Sequence, residues 1–569
     1  MKIEEWKVSG YRSIHEERFS CSKFNVLIGK NNSGKSNVLD SILDYRDILN
    51  DDIDLSSWYS DRLIRNNNVD EIAFEATFGL SDESRSSLIE ELTERDVFGE
   101  SQAEDFRDSD TFSKIQHEIH LSEGGITEEV FRTNIKGSME DLSREGNRTR
   151  ENDVLVLENL PAVTYTSAKY RVDKSFLDTL QNSLSNWQTL RATRNPKGMM
   201  DLIRRNKIDE AGEKLAQVLG TLSMNSPETF QEISESYQSI MEGVSEVDVQ
   251  LLEEGNVTVE VLGEGFTDSF VLDEISAGSQ QILILLTAII RAKENSEVLF
   301  VEEPEQHLHP GAEQHVYDLI EEISLSGTQV FVTTHSDVFV NETGTENIMS
   351  VYRNEENVTE LETVEGTEID STLSMLGYEK SDFYQSSAVV FVEDQSDRVV
   401  FKQLADTLGY PLKERGIRLI SLEGDNMFAD AEPMLKIIRQ LRMPYLFILD
   451  SDKMDPEEKT KSVASDLGVS PENVYVLKKP VIESYLIESA EPIARAFNIQ
   501  DLEVVEEFLD GAGKRNHAKT LNRICKEELD QSMSKKAING IVSRHMERGE
   551  IPGELDQLLR RVRDMPSES

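Results

Sequence analysis

The spacing of apolar positions changes several times along the chain, and each change marks an element. Ile3 to Val8 and Phe24 to Ile28 read as strands, the second of the fully buried kind. A Gly-rich loop follows, and a helix is predicted from about Ser36 to Leu49. Asp70 to Leu80 again reads as strand, whereas about Ser81 to Arg150 is polar and shows no clear period. From Ser175 to Val244 apolar positions fall three and four apart, the helical spacing. Two short strands, about Val257 to Leu262 and Ser269 to Leu272, lead into a long apolar helix from Ser279 to Ala292. A strand (Val298 to Val301), a helix (Gly311 to Ser324) and a strand (Gln329 to Thr333) complete this first part.

A second unit opens near Ala388. It alternates strand (Ala388 to Val392), helix (Asp397 to Leu408), strand (Ile417 to Ser421), helix (Ala431 to Leu441) and strand (Tyr445 to Leu449), with a further strand at Val474 to Leu477. Such alternation implies a parallel sheet covered by helices on both faces. From about Ser489 the pattern is mainly helical. At 569 residues the chain is too long for one core.

Charge adds a constraint. The chain has 108 acidic against 59 basic residues, a net charge of −49, spread over every segment and not held in one tail. A uniformly acidic surface repels itself and is screened by salt, the halophile pattern, so a high-salt cytoplasm is expected. Stability should then rise with KCl into the molar range. A melting temperature that is already maximal in low salt without divalent ions would contradict this. The acidic balance argues against nucleic acid as a partner only weakly, because a local groove or metal ions can still meet phosphates. Two distant cysteines, Cys21 and Cys525, make neither a disulfide framework nor a zinc site. With no signal peptide and no apolar run of membrane length, a cytoplasmic location is expected.

The sharpest motif is Gly29-Lys30-Asn31-Asn32-Ser33-Gly34-Lys35-Ser36, which fits the P-loop pattern between a buried strand and a helix. Backbone N–H groups from Gly29 through Gly34 would close on phosphate, Lys35 would meet the outer phosphates, and Ser36 would ligate Mg2+. Val298 to Val301 then ends in Glu302-Glu303-Pro304-Glu305. Glu302 would hold Mg2+, and Glu303 would orient or deprotonate the attacking water. Ile275-Ser276-Ala277-Gly278-Ser279 resembles the signature motif of ABC-type ATPases, including the SMC and RecF-like branch. That resemblance implies a dimer in which Ser276 and Gly278 touch ATP held by the other subunit. His335, after Val330-Phe331-Val332-Thr333-Thr334, stands where that family carries its switch histidine. A solvated acidic turn and a structural histidine are the bland readings of Glu302-Glu303 and His335 taken singly.

The second unit carries its own acids. One apolar strand ends in Glu393, with Asp397 four residues on, and another ends in Asp450-Ser451-Asp452. Strand ends of a parallel sheet converge on a crevice, and carboxylates there can hold one or two divalent ions. Loop acids without metal are the bland alternative. This order and spacing resembles the TOPRIM domain of topoisomerases, primases and the OLD family of nucleases. A TOPRIM domain behind an ABC-like ATPase is the OLD arrangement, and Glu302-Glu303-Pro304-Glu305-Gln306-His307-Leu308-His309-Pro310 resembles the OLD form of the ATPase acid motif. Within that family the chain is similar to the nuclease subunits of Gabija-type antiphage systems.

The resemblance implies an α/β architecture. An ABC/SMC-like ATPase domain covers 1–365, with a helical dimerisation insertion at about 175–245. A linker (366–387), a TOPRIM core (388–490) and a helical region (491–569) follow. It also implies Glu393 and Asp397 at one metal position and Asp450 and Asp452 at another, with Glu483 as a further acid. Lys536 is the expected lysine beside the scissile phosphate, with Lys535 close behind. Two residues depart from the family pattern: Glu302 where Asp is usual, and Asp394 where glycine is usual, with Asp394 expected to sustain a left-handed turn. The implied cofactors are ATP and Mg2+, with Mn2+ an alternative at the nuclease site. The implied partners are DNA, a second copy in a homodimer or homotetramer, and a helicase-like protein. The activity implied is nucleotide-regulated, metal-dependent DNA cleavage in antiviral defence or DNA processing. Two rivals are a RecF- or SMC-like repair ATPase whose TOPRIM domain does not cut, and a non-enzymatic ATP-gated assembly module.

Overall fold

The computed structural model describes residues 1–50, 52–63, 71–94, 103–104, 107, 112–123, 125–135, 138–145, 168–241, 243–252, 255–295, 297–354, 356–363, 380–384, 386–422, 427–440, 442–452, 454–510, 520–524, 526 and 534–567. The chain divides into two compact units, Met1–Thr363 and Val364–Ser569. Most of the expected linker, and Cys525, lie outside the described residues.

In the first unit, β1 (Lys2–Tyr11), β2 (Ile14–Ser20), β4 (Ile72–Gly79), β5 (Lys114–Ser122), β6 (Gly125–Ile135) and β7 (Ser138–Glu145) form an antiparallel sheet in the order β2-β1-β4-β5-β6-β7. Ile72, Phe74, Ala76 and Phe78 alternate inward from β4, so one face is a core. Helix Lys35–Leu49 joins that core through Tyr45, whose ring meets Trp6 edge-on at 5.2 Å. Such a pair adds about 0.5–1.5 kcal/mol beyond burial. It anchors the helix that begins directly at the Gly-rich loop.

A second sheet runs β16-β15-β3-β14-β13-β8 and is parallel apart from β16. Its strands are β3 (Phe24–Ile28), β8 (Gln188–Leu190), β13 (Val298–Glu302), β14 (Gln329–Thr333), β15 (Ile348–Arg353) and β16 (Thr359–Thr363). β3, β13 and β14 are buried at every position, which is why they read as mostly apolar segments without alternation. β14 lies between β3 and β13, so the P-loop, Glu302 and His335 leave neighbouring strand ends. A small third sheet combines β9 (Met199–Asp201), β10 (Val244–Leu251), β11 (Asn256–Gly263) and β12 (Phe270–Val271).

The stretch expected as helical, 175–244, is mixed. It holds helices Ala168–Leu184, Leu215–Asn225 and Pro227–Ile240, but also β8 and β9, and β8 pairs with β13 inside the parallel sheet. Three-residue strands are too short to interrupt a helical period. The polar stretch 81–150 supplies helix Asp82–Glu94 and β5 to β7.

The second unit is built on four parallel strands, β17 (Ala388–Val392), β18 (Ile417–Ser421), β19 (Tyr445–Leu449) and β20 (Val474–Val476), in the order β18-β17-β19-β20. From β17 the chain crosses to one neighbour and later returns to the other. The crevice of this switch point therefore lies between the C-terminal ends of β17 and β19. Helices Gln395–Leu408, Lys535–Arg544 and Gly553–Asp564 close one core through Val400, Leu404, Ile538, Val542, Leu558 and Leu559. Gly540 permits a close approach: a Cβ there would lie 2.9 Å from Val399 Cγ1.

Candidate functional site

Helix Lys35–Leu49 begins at Gly34, whose φ is +111°, without a side-chain cap. Its first N–H groups are thus left for an anion. Gly34 cannot carry a side chain, because a Cβ would stand 2.1 Å from Thr359 Oγ1. Thr359 donates to Ser33 O (3.0 Å) and Arg353 Nε to Asn32 O (2.7 Å), so β15 and β16 strap the loop. Asn31, Asn32 and Ser36 are exposed. Lys35 is buried and its Nζ donates to Gly29 O (2.9 Å) and Lys30 O (3.2 Å) and meets His335 Nε2 at 2.8 Å. Burial pushes Lys35 down to about 8. Burial and the Lys35 charge lower His335 as well. The P-loop lysine and His335, 300 residues apart, are therefore in contact.

Glu302 is buried and is paired with a cation that belongs to no sequence motif. Arg191 Nη1 lies 3.0 Å from Glu302 Oε1 and also pairs with Asp40, and Ala192 N–H donates to Glu302 Oε2 at 3.2 Å. Glu303 has φ +43°, a left-handed backbone that costs a non-glycine residue about 1–3 kcal/mol. Its N–H donates to Thr333 O (2.8 Å), and its carboxylate accepts from Gln306 Nε2. Arg194, nearly fully buried, donates to the carbonyls of Glu302 and Glu303 and to Gln281 Oε1 (3.2 Å). It thereby ties the acid turn to helix Ala277–Asn295. Ser276 is exposed, its Oγ accepting from Ser279 N–H at 3.1 Å. Gly278 passes so close to His307 O that a Cβ would lie 2.6 Å from it. Arg191 and Arg194 follow a three-residue strand in a stretch read as helix, so no motif flagged them.

In the second unit, Glu393 leaves β17 and Asp450 leaves β19, and Asp450 N–H donates to Glu393 Oε1 at 3.1 Å. Asp394 is extended (φ −139°), not left-handed; it caps helix Gln395–Leu408 by accepting from Asp397 N–H. That capping role explains an aspartate where glycine is usual and corrects the expected turn. The left-handed residue is Asp452 (φ +50°), which is exposed, with its N–H donating to Pro480 O at 3.2 Å. Asp397, Asp450 and Glu483 are buried. Asp397 Oδ1 and Asp450 Oδ1 have no hydrogen-bond partner. Burial, then the Asp450 charge, pushes Asp397 up to about 9; burial, then the Glu393 and Glu483 charges, pushes Asp450 up to about 8.

Two lysines stand among these acids. Lys535 Nζ lies 2.9 Å from Asp394 Oδ2 and 3.1 Å from Glu483 Oε1. Lys536, the expected residue, is exposed and bonds Gln395 instead. One residue along a helix turns a side chain by about 100°, which sequence spacing alone could not resolve. Lys459 was not anticipated: its Nζ donates to Asp450 O (2.7 Å), Asp452 Oδ2 (2.7 Å) and Glu393 Oε1 (3.4 Å). Asn539 Nδ2 holds Glu483 Oε1 at 2.6 Å. Among the described residues, no group of three or more His, Cys, Asp or Glu is spaced to hold a metal ion as it stands. The two unpartnered carboxylate oxygens nevertheless fit a hard cation, whose ligands are oxygens.

Residues 24–341 match the family model described as "AAA domain, putative AbiEii toxin, Type IV TA system", and residues 385–452 match the OLD-like (overcoming lysogenization defect protein-like) TOPRIM domain. Among curated proteins, the cell division ATP-binding protein FtsE of two Streptococcus pneumoniae strains, D39 and R6, is 35% identical over 69 residues. That stretch spans 12% of this chain and only 29% of each relative. Among solved structures, an Smc head bound to the C-terminal winged-helix domain of ScpA has 16% identity and a TM-score of 0.40, covering 65% of this chain and 99% of that one. A second, from Pyrococcus furiosus, has 16% and 0.40, covering 66% and 98%. The SMC head domain of Thermotoga maritima has 13% and 0.33, covering 64% and 100%. The chain belongs to the AAA-domain family of the first match and joins it to an OLD-like TOPRIM domain, the make-up of an OLD-family ATPase–TOPRIM protein.

Proposed function

We propose that this chain is a nucleotide-regulated, metal-dependent DNA endonuclease serving antiviral defence or DNA processing, with ATP bound at the P-loop. One observation carries the cutting activity: Asp397 and Asp450 hold buried, unpartnered carboxylate oxygens where acids from β17 and β19 gather at a switch point. Uncompensated buried carboxylates are costly, and a functional site is the usual reason to keep them. Glu393, Asp397, Asp450, Asp452 and Glu483 are the proposed ligands of Mg2+ or Mn2+. A divalent ion there would stabilise the attacking and leaving oxygens of phosphodiester cleavage. Lys535, held by Asp394 and Glu483, replaces Lys536 as the proposed contact to the scissile phosphate. At the nucleotide site, Lys35 and the open helix N-terminus would bind phosphates, Glu302 and Ser36 would meet Mg2+, and Glu303 with His335 would act on the attacking water. Ser276 and Gly278 would read ATP across a dimer.

The repair-ATPase reading, with a TOPRIM domain that does not cut, keeps one observation in its favour: lysines and not a ready metal cage stand among the acids. Plasmid nicking by wild type and Glu393→Ala across metals and salt separates the two. The nuclease reading requires metal-dependent nicking by wild type and its loss in the variant. Inertness of both would favour the repair ATPase. No helix among the described residues is long and apolar enough to cross a membrane.

Between about pH 4 and the folded values of about 9 and 8 for Asp397 and Asp450, the folded state holds protons that the unfolded state has lost. Without metal, these two groups therefore lose the fold stability as pH rises through that window. A bound divalent ion favours their charged forms and reverses the trend. The rise in melting temperature on adding Mn2+ to chelator-treated protein should be larger at pH 8.5 than at pH 6. Equal rises at both would count against metal binding by this pair.

A further inference from the structure

The carboxylate cluster is lopsided. At the Asp397–Asp450 end, two oxygens are buried and unpartnered, because the nearby Lys535 is bonded to Asp394 and Glu483 and not to these two oxygens. At the Glu393–Asp452 end, Lys459 spends all three of its donors, on Glu393 Oε1, Asp450 O and Asp452 Oδ2. Its delivery is built in. Helix Pro456–Leu467 starts four residues after Asp452, and Asp455 caps it by accepting from the N–H groups of Glu457 and Glu458. Val463 and Ala464 bury the next turns of the helix, and only 12% of the Lys459 side chain is exposed. An ammonium fixed against these oxygens and a divalent ion on the same oxygens would repel each other at contact distance.

We infer that Lys459 is a resident cation at the Glu393–Asp452 end, so the cluster takes one divalent ion at the Asp397–Asp450 end and admits a second only by displacing this ammonium. The inference rests on the nuclease reading above. It explains why no complete metal cage stands open while carboxylate oxygens remain unsatisfied. It also makes Lys459 a positioning residue that sets how many ions are bound at a given metal concentration.

Mn2+ titration of the full chain, free of nucleotide and DNA and followed by the electron paramagnetic resonance signal of unbound Mn2+, tests this. Wild type should bind one ion tightly and a second weakly. Lys459→Gln and Lys459→Met should tighten the second by about 10- to 100-fold and leave the first unchanged. Lys459→Arg, which keeps the charge, should behave as wild type. Two neutral variants are used so that one with a native melting curve can be read. Unchanged second-ion affinity in the neutral variants overturns the inference and leaves the nuclease reading standing. No bound Mn2+ in any protein, wild type included, overturns both.

Discussion

Asp450→Ala is expected to lower plasmid cleavage by about 100-fold or more while ATP hydrolysis stays within about twofold of wild type. Asp450 leaves β19 beside Glu393, and its amide is bonded to that carboxylate. Its Oδ1 is buried without a hydrogen-bond partner, so on the proposed reading its loss would remove a ligand from the metal site. The substitution also removes a buried group that burial and neighbouring charge already disfavour in its ionised form. The fold should therefore survive or gain in the absence of metal, and the loss would report chemistry and not unfolding. ATP turnover draws on side chains of the first unit, in which Asp450 has no part. Cleavage at the wild-type rate would remove the TOPRIM site, and the proposed function with it.

At the other site, Glu303→Gln should keep nucleotide binding and slow hydrolysis by about 10²- to 10⁴-fold, the usual worth of a general base. Glu303 is held in a left-handed backbone by Arg194 at its carbonyl and by Thr333 at its amide, and a glutamine fits that turn equally well. Lys35→Ala should instead weaken nucleotide binding itself and release His335 from its contact. Single-turnover hydrolysis and fluorescent-nucleotide binding separate the two variants. Normal turnover by Glu303→Gln would take the catalytic role away from it. If nucleotide only regulates cutting, Lys35→Ala will still nick plasmid and will no longer respond to ATP.

The parallel sheets were legible in the sequence because both faces of their strands are buried. Phe24–Ile28, Gln329–Thr333, Ala388–Val392, Ile417–Ser421 and Tyr445–Leu449 read as strands with the bounds the structure gives them. The P-loop and the strand-end acids were legible for the same reason, since a chemical motif follows each run. β8 was not, because three residues carry no period, and Arg191 and Arg194 were lost with it. Lys459 and Asn539 were invisible on other grounds. They reach the acids from helices whose sequence shows only an amphipathic face, and contacts 57 and 66 residues apart, as between Glu393 and its partners Asp450 and Lys459, leave no local trace. The choice between Lys535 and Lys536 depended on helix phase, which only the docked helix supplies.

Helix Lys535–Arg544 also imposes a timetable on synthesis. Ser396 and Asn539 are bonded across 143 residues, and Lys535 reaches Asp394 across 141. At about 5–20 residues per second, a ribosome needs about 7–30 s to make that interval. Throughout it, the emerging chain carries its acids without the lysine and the amide that complete their setting. On the proposed nuclease reading, a chain cut short before residue 535 would lack Lys535 and Asn539 and should not cleave DNA.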